Sequence, residues 1–187
     1  MLGFGYFSLK NATDVLMVRG RDRATATVYN DLCDDFLNLC LNFSQEELNE
    51  GWYVTLLNSF CDIAKKGLEV SRKNYKSTDL TERENGALIE YDIDIYVKNI
   101  KNYVTILLLR AQDDDMKNAH AVRAEVNFLA QRTRNQWTEI PKTNKGNAEM
   151  YEQYGNRMCL LDCIRDILQR YSTKKHRPKR SCNIRHQ

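Results

Sequence analysis

The chain contains little proline and glycine and no long apolar run. Only 2 prolines and 8 glycines occur in 187 residues, and this scarcity of turn formers argues against a β fold built from many short strands. No apolar run approaches the roughly 18 residues that a membrane-spanning helix requires, so we expect no membrane partner. The N-terminus has neither the basic region nor the small-residue cleavage site of a signal peptide. These absences favour an intracellular protein.

The familiar catalytic motifs are also missing. There is no Walker loop, no Gly-x-Gly-x-x-Gly, no Gly-x-Ser-x-Gly and no His-Glu-x-x-His. Among the 3 histidines, His120 stands alone on a predicted helix face, where a solvated side chain is the favoured interpretation. Glu90 and Asp94 lie one helical turn apart and would suit a divalent ion, but solvated acids, with Asp94 paired to Lys98, fit better. We therefore predict a non-enzymatic protein without a cofactor.

The cysteines do not form the pattern of a secreted disulfide scaffold. Cys33 and Cys40 would lie about 10 Å apart along a helix, which is too far for a disulfide. Most of the cysteines fall inside helical patterns, where a free cysteine commonly acts as a small apolar residue. We predict reduced thiols. The 6 cysteines are at positions 33, 40, 61, 159, 163 and 182.

One set of cysteines resembles a zinc module with three cysteines and one histidine. Its members are Cys159, Cys163, His176 and Cys182, and His186 is an alternative fourth ligand. Small zinc fingers place their first two cysteines in a hairpin, whereas the pattern here around both cysteines is helical. Two cysteines one turn apart on a buried helix face are more often core residues. We interpret them in this way and predict no metal.

Apolar residues recur at intervals of three and four along five segments, which indicates amphipathic helices. Ser44 with Glu47, and Thr81 with Glu84, match the capping box that starts a helix. Residues 113–115 are three aspartates that supply an acidic first turn. The five stripes are Val28, Leu32, Phe36, Leu39 and Phe43; Trp52, Leu56, Phe60, Ala64 and Leu68; Ile89, Ile93, Val97, Ile100, Val104, Leu107 and Ala111; Ala119, Val122, Val126, Leu129, Thr133 and Trp137; and Tyr151, Tyr154, Met158, Leu160, Leu161, Ile164, Leu168 and Tyr171.

We predict an all-α fold, an antiparallel bundle of about five long helices. The bundle would span residues 23–172, between a short irregular N-terminal arm at 1–22 and a basic C-terminal tail at 173–187. One segment leaves an alternative open, because residues 89–97 also alternate apolar and polar side chains as a strand does. The alternation fails after Lys98 while the helical pattern continues, so we favour a helix.

The third segment is apolar on most sides near Ile106–Leu109. A helix that is apolar nearly all round must lie at the centre of a fold or against another subunit. We therefore expect a homo-oligomer, with Leu108 and Leu109 at its interface if they are not in the core.

The C-terminal tail concentrates positive charge. The chain carries 28 basic and 25 acidic residues, a net charge of +3. The tail holds 6 of the basic residues and no acid, so the rest of the chain comes to −3. Such a segment is typical of a nucleic-acid-binding arm or a nuclear-import peptide. Its cations are Lys174, Lys175, Arg177, Lys179, Arg180 and Arg185.

Two further basic clusters lie on predicted helices and can extend the contact surface. The first surrounds Tyr75 and the second surrounds Trp137, and either ring is a candidate for stacking on a base. Solvated helix faces are the alternative interpretation of both. The first cluster is Lys65, Lys66, Arg72, Lys73 and Lys76; the second is Arg123, Arg132, Arg134, Lys142 and Lys145.

The sequence therefore favours a non-enzymatic, oligomeric helical protein that binds RNA or DNA without sequence specificity, through phosphate contacts. One alternative is a secreted, cytokine-like helical-bundle ligand with a basic tail, for which Asn11 and Asn42 offer glycosylation sequons. Another is a scaffold or capsid-type subunit whose helices serve assembly.

Overall fold

The computed structural model describes residues 22–81, 86–112, 114–140 and 147–173, and it confirms the all-α prediction. No strand occurs within these ranges. A single turn of 3-10 helix, Glu47–Asn49, precedes the second helix. The α-helices are α1 (Asp22–Cys40), α2 (Gly51–Thr81), α3 (Gly86–Arg110), α4 (Asp115–Ala121), α5 (Arg123–Glu139) and α6 (Ala148–Thr173).

The helices form the predicted antiparallel bundle, in which α4 and α5 together make the fourth of five rods. Contacts between α1 and α3 join residues in ascending order, since Arg23 meets Asp92 and Asp34 meets Lys101. Successive rods therefore alternate in direction, and α1, α3 and α6 run parallel. Short connections of this kind place sequence neighbours side by side.

Residues 89–97 are helical, so the strand alternative is wrong. α3 buries the whole predicted stripe from Ile89 to Leu107, and only its last member, Ala111, is exposed. Ala111 has φ of 53°, a left-handed conformation that ends the helix and turns the chain towards α4. The stripe was predictable because its members are aliphatic and repeat without interruption.

The predicted stripes of α1 and α2 are correct in part, since Leu32, Phe36, Ala64 and Leu68 are buried. α1 buries Tyr29 and Cys33 beside Leu32 and Phe36, whereas Val28 and Leu39 are only partly buried. α2 likewise buries Tyr53, Leu57 and Cys61, whereas Trp52 is 41% exposed. The prediction missed Tyr29 and Tyr53, and tyrosine is less often fully buried than leucine.

The capping box at Ser44 forms, but it starts a different element from the one predicted. The Ser44 N–H donates to Glu47 Oε2 at 2.9 Å, and the Glu47 N–H donates to Ser44 Oγ at 3.3 Å. The pair caps the 3-10 turn, and α2 begins four residues later at Gly51. In the second predicted box, Thr81 is the last residue of α2 and Glu84 lies outside the described residues.

The fourth rod bends where a single helix was expected. Val122 separates α4 from α5. The start of α4 is held by Asp115, whose carboxylate accepts from the Arg110 guanidinium at 3.0 Å and from the Gln112 N–H at 2.8 Å. Burial alone would raise the pKa of Asp115, but these hydrogen bonds outweigh it and lower the pKa.

The central position of α3 accounts for its apolar surface within one chain. It packs against α1, α2, α4 and α6, and Ile106 and Leu107 are fully buried. Leu108 is partly buried against the core, and Leu109 is 44% exposed. The apolar run therefore does not by itself require a second subunit, and the homo-oligomer stays a prediction.

Candidate nucleic-acid interface

The tail cations at positions 174–185 lie outside the described residues. α6 continues to Thr173, the first residue assigned to the tail by sequence. Because α6 runs parallel to α3, its last residue lies at the end of the bundle where α3 meets α4.

The second basic cluster is not one surface. Arg132 and Arg134 are two residues apart on α5, and a helix turns about 200° over two residues. Arg132 accordingly points towards α2, where its Nη1 donates to the Tyr75 hydroxyl at 3.0 Å, while Arg134 is exposed on the other side. Arg123 lies on the same side as Arg134 and is also exposed. Lys142 and Lys145 lie outside the described residues.

Neither aromatic candidate presents a ring to a base. Tyr75 is 7% exposed and stacks on Tyr96 with their ring centroids 5.7 Å apart. Trp137 is partly buried and packs against Tyr151 at 5.2 Å. The structure gives these rings a packing role between helices.

The first basic cluster divides into one arginine that joins helices and four lysines that face outward. Arg72 donates to Glu125 at 3.0 Å and to the Tyr96 hydroxyl at 3.2 Å, and Tyr96 also donates to Glu125. Burial, and then the Glu125 carboxylate, raise the pKa of Tyr96, so its hydroxyl stays protonated and remains a donor. Arg72 thereby ties α2 to α3 and α5.

The four lysines are exposed on one side of α2, and we name them the lysine face: Lys65, Lys66, Lys73 and Lys76. At about 100° per residue they span roughly 100° of the helix circumference and about 16 Å of its length. Asp62 and Glu69 share this side and reduce its net charge to about +2 at neutral pH. It is a moderate positive surface held at fixed spacing by a helix.

The structure also contains a buried cation that the sequence analysis missed. Arg157 on α6 is 3% exposed and reaches across to α3. Its Nε donates to Asp94 at 2.6 Å, its Nη1 to the Glu90 carboxylate at 2.7 Å, and its Nη2 to the Glu90 carbonyl at 3.1 Å. Burial alone would lower the pKa of Arg157, but the two carboxylates outweigh it and raise the pKa. The interpretation of Glu90 and Asp94 as solvated acids is therefore wrong.

A cleft of about 530 Å³ opens beside Arg157 between α3 and α6. Its lining includes Asp94 and Lys98 from α3 and Glu149 and Glu152 from α6. The Arg157 guanidinium is held by Glu90 and Asp94, so it serves the contact between the helices. The three acids in this lining, Asp94, Glu149 and Glu152, would repel a phosphate ligand. We therefore assign the cleft no role in polyanion binding.

The described cysteines differ in burial, and Cys40 is intermediate. Cys33 and Cys61 are buried in the core, and burial raises the pKa of Cys33 to about 12, which makes it an unreactive neutral thiol. Cys159 and Cys163 are exposed, so their interpretation as core residues is wrong. All of the described cysteines are free thiols.

The zinc set is only half contained in the described residues, because His176 and Cys182 lie beyond Thr173. Within the described ranges, no three His, Cys, Asp or Glu side chains converge as a metal site. Over the same ranges, every helix is too short or too polar to cross a bilayer. Comparisons with models of known protein families, with curated proteins and with solved structures find no match.

Proposed function

We propose that this protein is a non-enzymatic binder of nucleic acid that recognises phosphates without sequence specificity, using the lysine face of α2 together with the C-terminal tail. The observation that carries the proposal is the exposure of all four lysines on one side of α2. Arg72, Arg132 and Arg157, in contrast, join helices.

The proposed mechanism is neutralisation of phosphates with release of condensed counterions. Because the four lysines lie on one helix, their spacing is fixed, and this would fix the position of a bound nucleic-acid strand on the protein surface. The tail adds six more cations at the end of α6. Arg123 and Arg134, on the outer side of α5, would join only if the polyanion wrapped around the bundle. The basic tail also suits nuclear import. A homo-oligomer would present one lysine face per subunit.

The alternatives have less support from the fold. Up-up-down-down cytokine bundles need two long crossover connections, whereas this bundle alternates direction between neighbours. Asn42 lies in the turn after α1, but Ser44 of its sequon is engaged in the capping box with Glu47. For the scaffold alternative, Leu109→Glu is the useful change, because Leu109 is exposed. A smaller mass by light scattering with an unchanged fold would identify this face as a subunit contact.

Fluorescence anisotropy of labelled single-stranded RNA and DNA tests the proposed function directly. Lys73→Gln with Lys76→Gln removes two charges from the lysine face. Lys98→Gln with Lys117→Gln removes two charges from exposed positions elsewhere and serves as the matched control. We expect the first variant to bind more weakly and with a shallower salt dependence, while the control binds as the wild type does.

Both variants should keep the wild-type circular dichroism, because all four side chains are exposed. Equal binding by the two variants would show that the lysine face is not the preferred nucleic-acid-binding surface. Absence of binding by the wild type at about 50 mM salt would rule out the nucleic-acid function, because phosphate contacts are strong at that ionic strength.

A further inference from the structure

A second pocket, of about 320 Å³, opens between α2, α3 and α5 beside the lysine face, and we name it the aromatic pocket. Its only charged lining residues are Lys76 and Glu125. The other five lining residues are Tyr75, Tyr96, Ala124, Phe128 and Leu129. Pockets that bind small ligands have this composition, mainly apolar with a few polar groups, and start at about 300 Å³.

The inner wall of the aromatic pocket consists of two tyrosines that arginines hold in place. Tyr75 and Tyr96 are buried and stack on each other. Their hydroxyls are engaged, since Arg132 donates to Tyr75 at 3.0 Å and Arg72 donates to Tyr96 at 3.2 Å. The wall therefore offers ring carbons, and not hydroxyl groups, to a ligand.

Phe128 also lines the aromatic pocket, and it is 58% exposed. It lies within about 60° of Glu125 and Arg132 around α5, and both of these residues reach across to α2. Phe128 is thus on the side of α5 that faces α2, yet the bundle does not cover it. Single exposed apolar residues are common on protein surfaces, but this one borders a formed pocket next to a row of lysines.

The two charges at the aromatic pocket decide which part of a nucleotide would enter it. Lys76 is exposed and belongs to the lysine face, whose next member, Lys73, lies about 4.5 Å back along α2. Glu125 would repel a phosphate from the pocket, although its hydrogen bond from Arg72 balances part of the charge. A flat, uncharged base avoids this repulsion, while the phosphates on either side of it suit the lysines outside.

We infer that the aromatic pocket accepts an unpaired nucleobase, which stacks on Phe128 while the flanking phosphates contact Lys76 and Lys73. Proteins that bind single strands combine a positive surface with aromatic rings in this way, and stacking tolerates any base because every base has a π face. A paired base must give up its pairing and stacking before it can enter a pocket. The protein should therefore prefer a single strand to a duplex.

The role of the aromatic pocket rests on the proposed function, because the lysines must first hold the strand by its phosphates. Anisotropy with two single-stranded DNA probes of equal length tests the two separately. One probe has ordinary bases, and the other has abasic sites along its central part, so the phosphates are equal in number. We expect the wild type to bind the ordinary probe more tightly than the abasic one.

Phe128→Ala should remove this difference between the probes. Loss of one stacked base should weaken binding of the ordinary probe by at least about fivefold. The salt slope should stay the same, because the change removes no charge. Phe128→Trp should keep the preference, since indole also stacks on a base. Leu41→Ala is the matched control, because Leu41 is an exposed apolar residue in the turn after α1, and it should bind both probes as the wild type does.

Circular dichroism should be unchanged in all three variants, because both positions are exposed. Equal binding of the two probes by the wild type, or an undiminished preference in Phe128→Ala, would overturn the role of the aromatic pocket. Tighter binding of a duplex than of a single strand with the same number of phosphates would also overturn it. A smaller mass of Phe128→Ala by light scattering, with the probe preference intact, would assign Phe128 to a contact between two copies of the chain instead.

These failures differ from failure of the proposed function. If only the aromatic pocket is wrong, Lys73→Gln with Lys76→Gln still weakens binding of both probes and makes the salt dependence shallower. If neither probe binds the wild type at about 50 mM salt, the nucleic-acid function fails, and the inference about the pocket fails with it.

Discussion

Two groups of cations among the described residues have opposite surroundings. Five arginines lie between helices and meet carboxylates or hydroxyls, whereas the four lysines of the lysine face are exposed on α2. The guanidinium presents several donors in a rigid plane and is weakly hydrated, while the lysine ammonium is strongly hydrated and better left in water. This preference has exceptions, since Lys101 pairs with Asp34 on another helix and Arg123 and Arg134 are exposed. The helix-joining arginines are Arg23, Arg72, Arg110, Arg132 and Arg157.

We expect the largest loss of stability from replacing Arg157. Arg157→Met should lower the free energy of unfolding by about 3–5 kcal/mol, because Glu90 and Asp94 are left as uncompensated acids. Urea denaturation measures the change. Arg165→Met is the matched control, since Arg165 makes an exposed pair with Asp162, and should cost at most about 1 kcal/mol.

Neutralising the acids should recover part of this loss. Adding Glu90→Gln and Asp94→Asn to Arg157→Met removes the unpaired charges, and we expect the triple variant to be more stable than Arg157→Met alone. If Arg157→Met proved as stable as the wild type, arginines would not be the residues that hold the helices together here.

Deleting residues 174–187 should weaken nucleic-acid binding and leave the stability of the fold nearly unchanged. The last buried side chain described in α6 is Leu168, so the melting temperature should change by only a few degrees. If all six cations engage phosphates, the logarithmic salt slope of binding should become shallower by about 4–5. Thermal melts and anisotropy across a salt series measure the two quantities. A large fall in melting temperature that a zinc chelator reproduces in the full chain would show instead that the tail is part of the fold.

The stability contributed by Asp115, which pairs with Arg110, should depend on pH. Its folded-state pKa is lowered from 3.8, so its contribution is complete above the unfolded pKa. The contribution falls as the pH drops from about 3.8 towards the folded value, and is absent below it. Asp115→Asn should therefore cost about 1.5–3 kcal/mol at pH 7 and less at a pH below about 3.8, where this contribution is being lost. Urea denaturation at both pH values measures this, and an equal cost at both would exclude an ionic role.

The sequence predicted the helices better than it predicted their contacts. The aliphatic stripe of α3 was recovered from Ile89 to Leu107, because local periodicity determines which face of a helix is apolar. The ion pairs of Arg157 join residues more than 60 positions apart, and periodicity cannot assign a partner at that distance.

The sequence nevertheless contained information about which of these side chains are buried and which are exposed. Arg157 follows Tyr154 by three residues and precedes Leu161 by four, so it falls within the buried stripe of α6 and its burial was predictable. Counting about 100° per residue from Leu161 also places Cys159 and Cys163 on the opposite side of the helix. The lysine face could be drawn from sequence, but the orientation of Arg72 and Arg132 could not, since it depends on where α5 packs.

The most direct test of the central claim is the salt dependence of nucleic-acid binding after Lys65, Lys66, Lys73 and Lys76 are all changed to Gln. Because each neutralised phosphate contributes about 0.7–0.9 to the logarithmic slope, the account predicts a slope shallower by about 3 if every lysine makes a contact. It also predicts an unfolding free energy within about 0.5 kcal/mol per substitution of the wild-type value. A slope equal to that of the wild type, measured on a folded variant, would contradict the account.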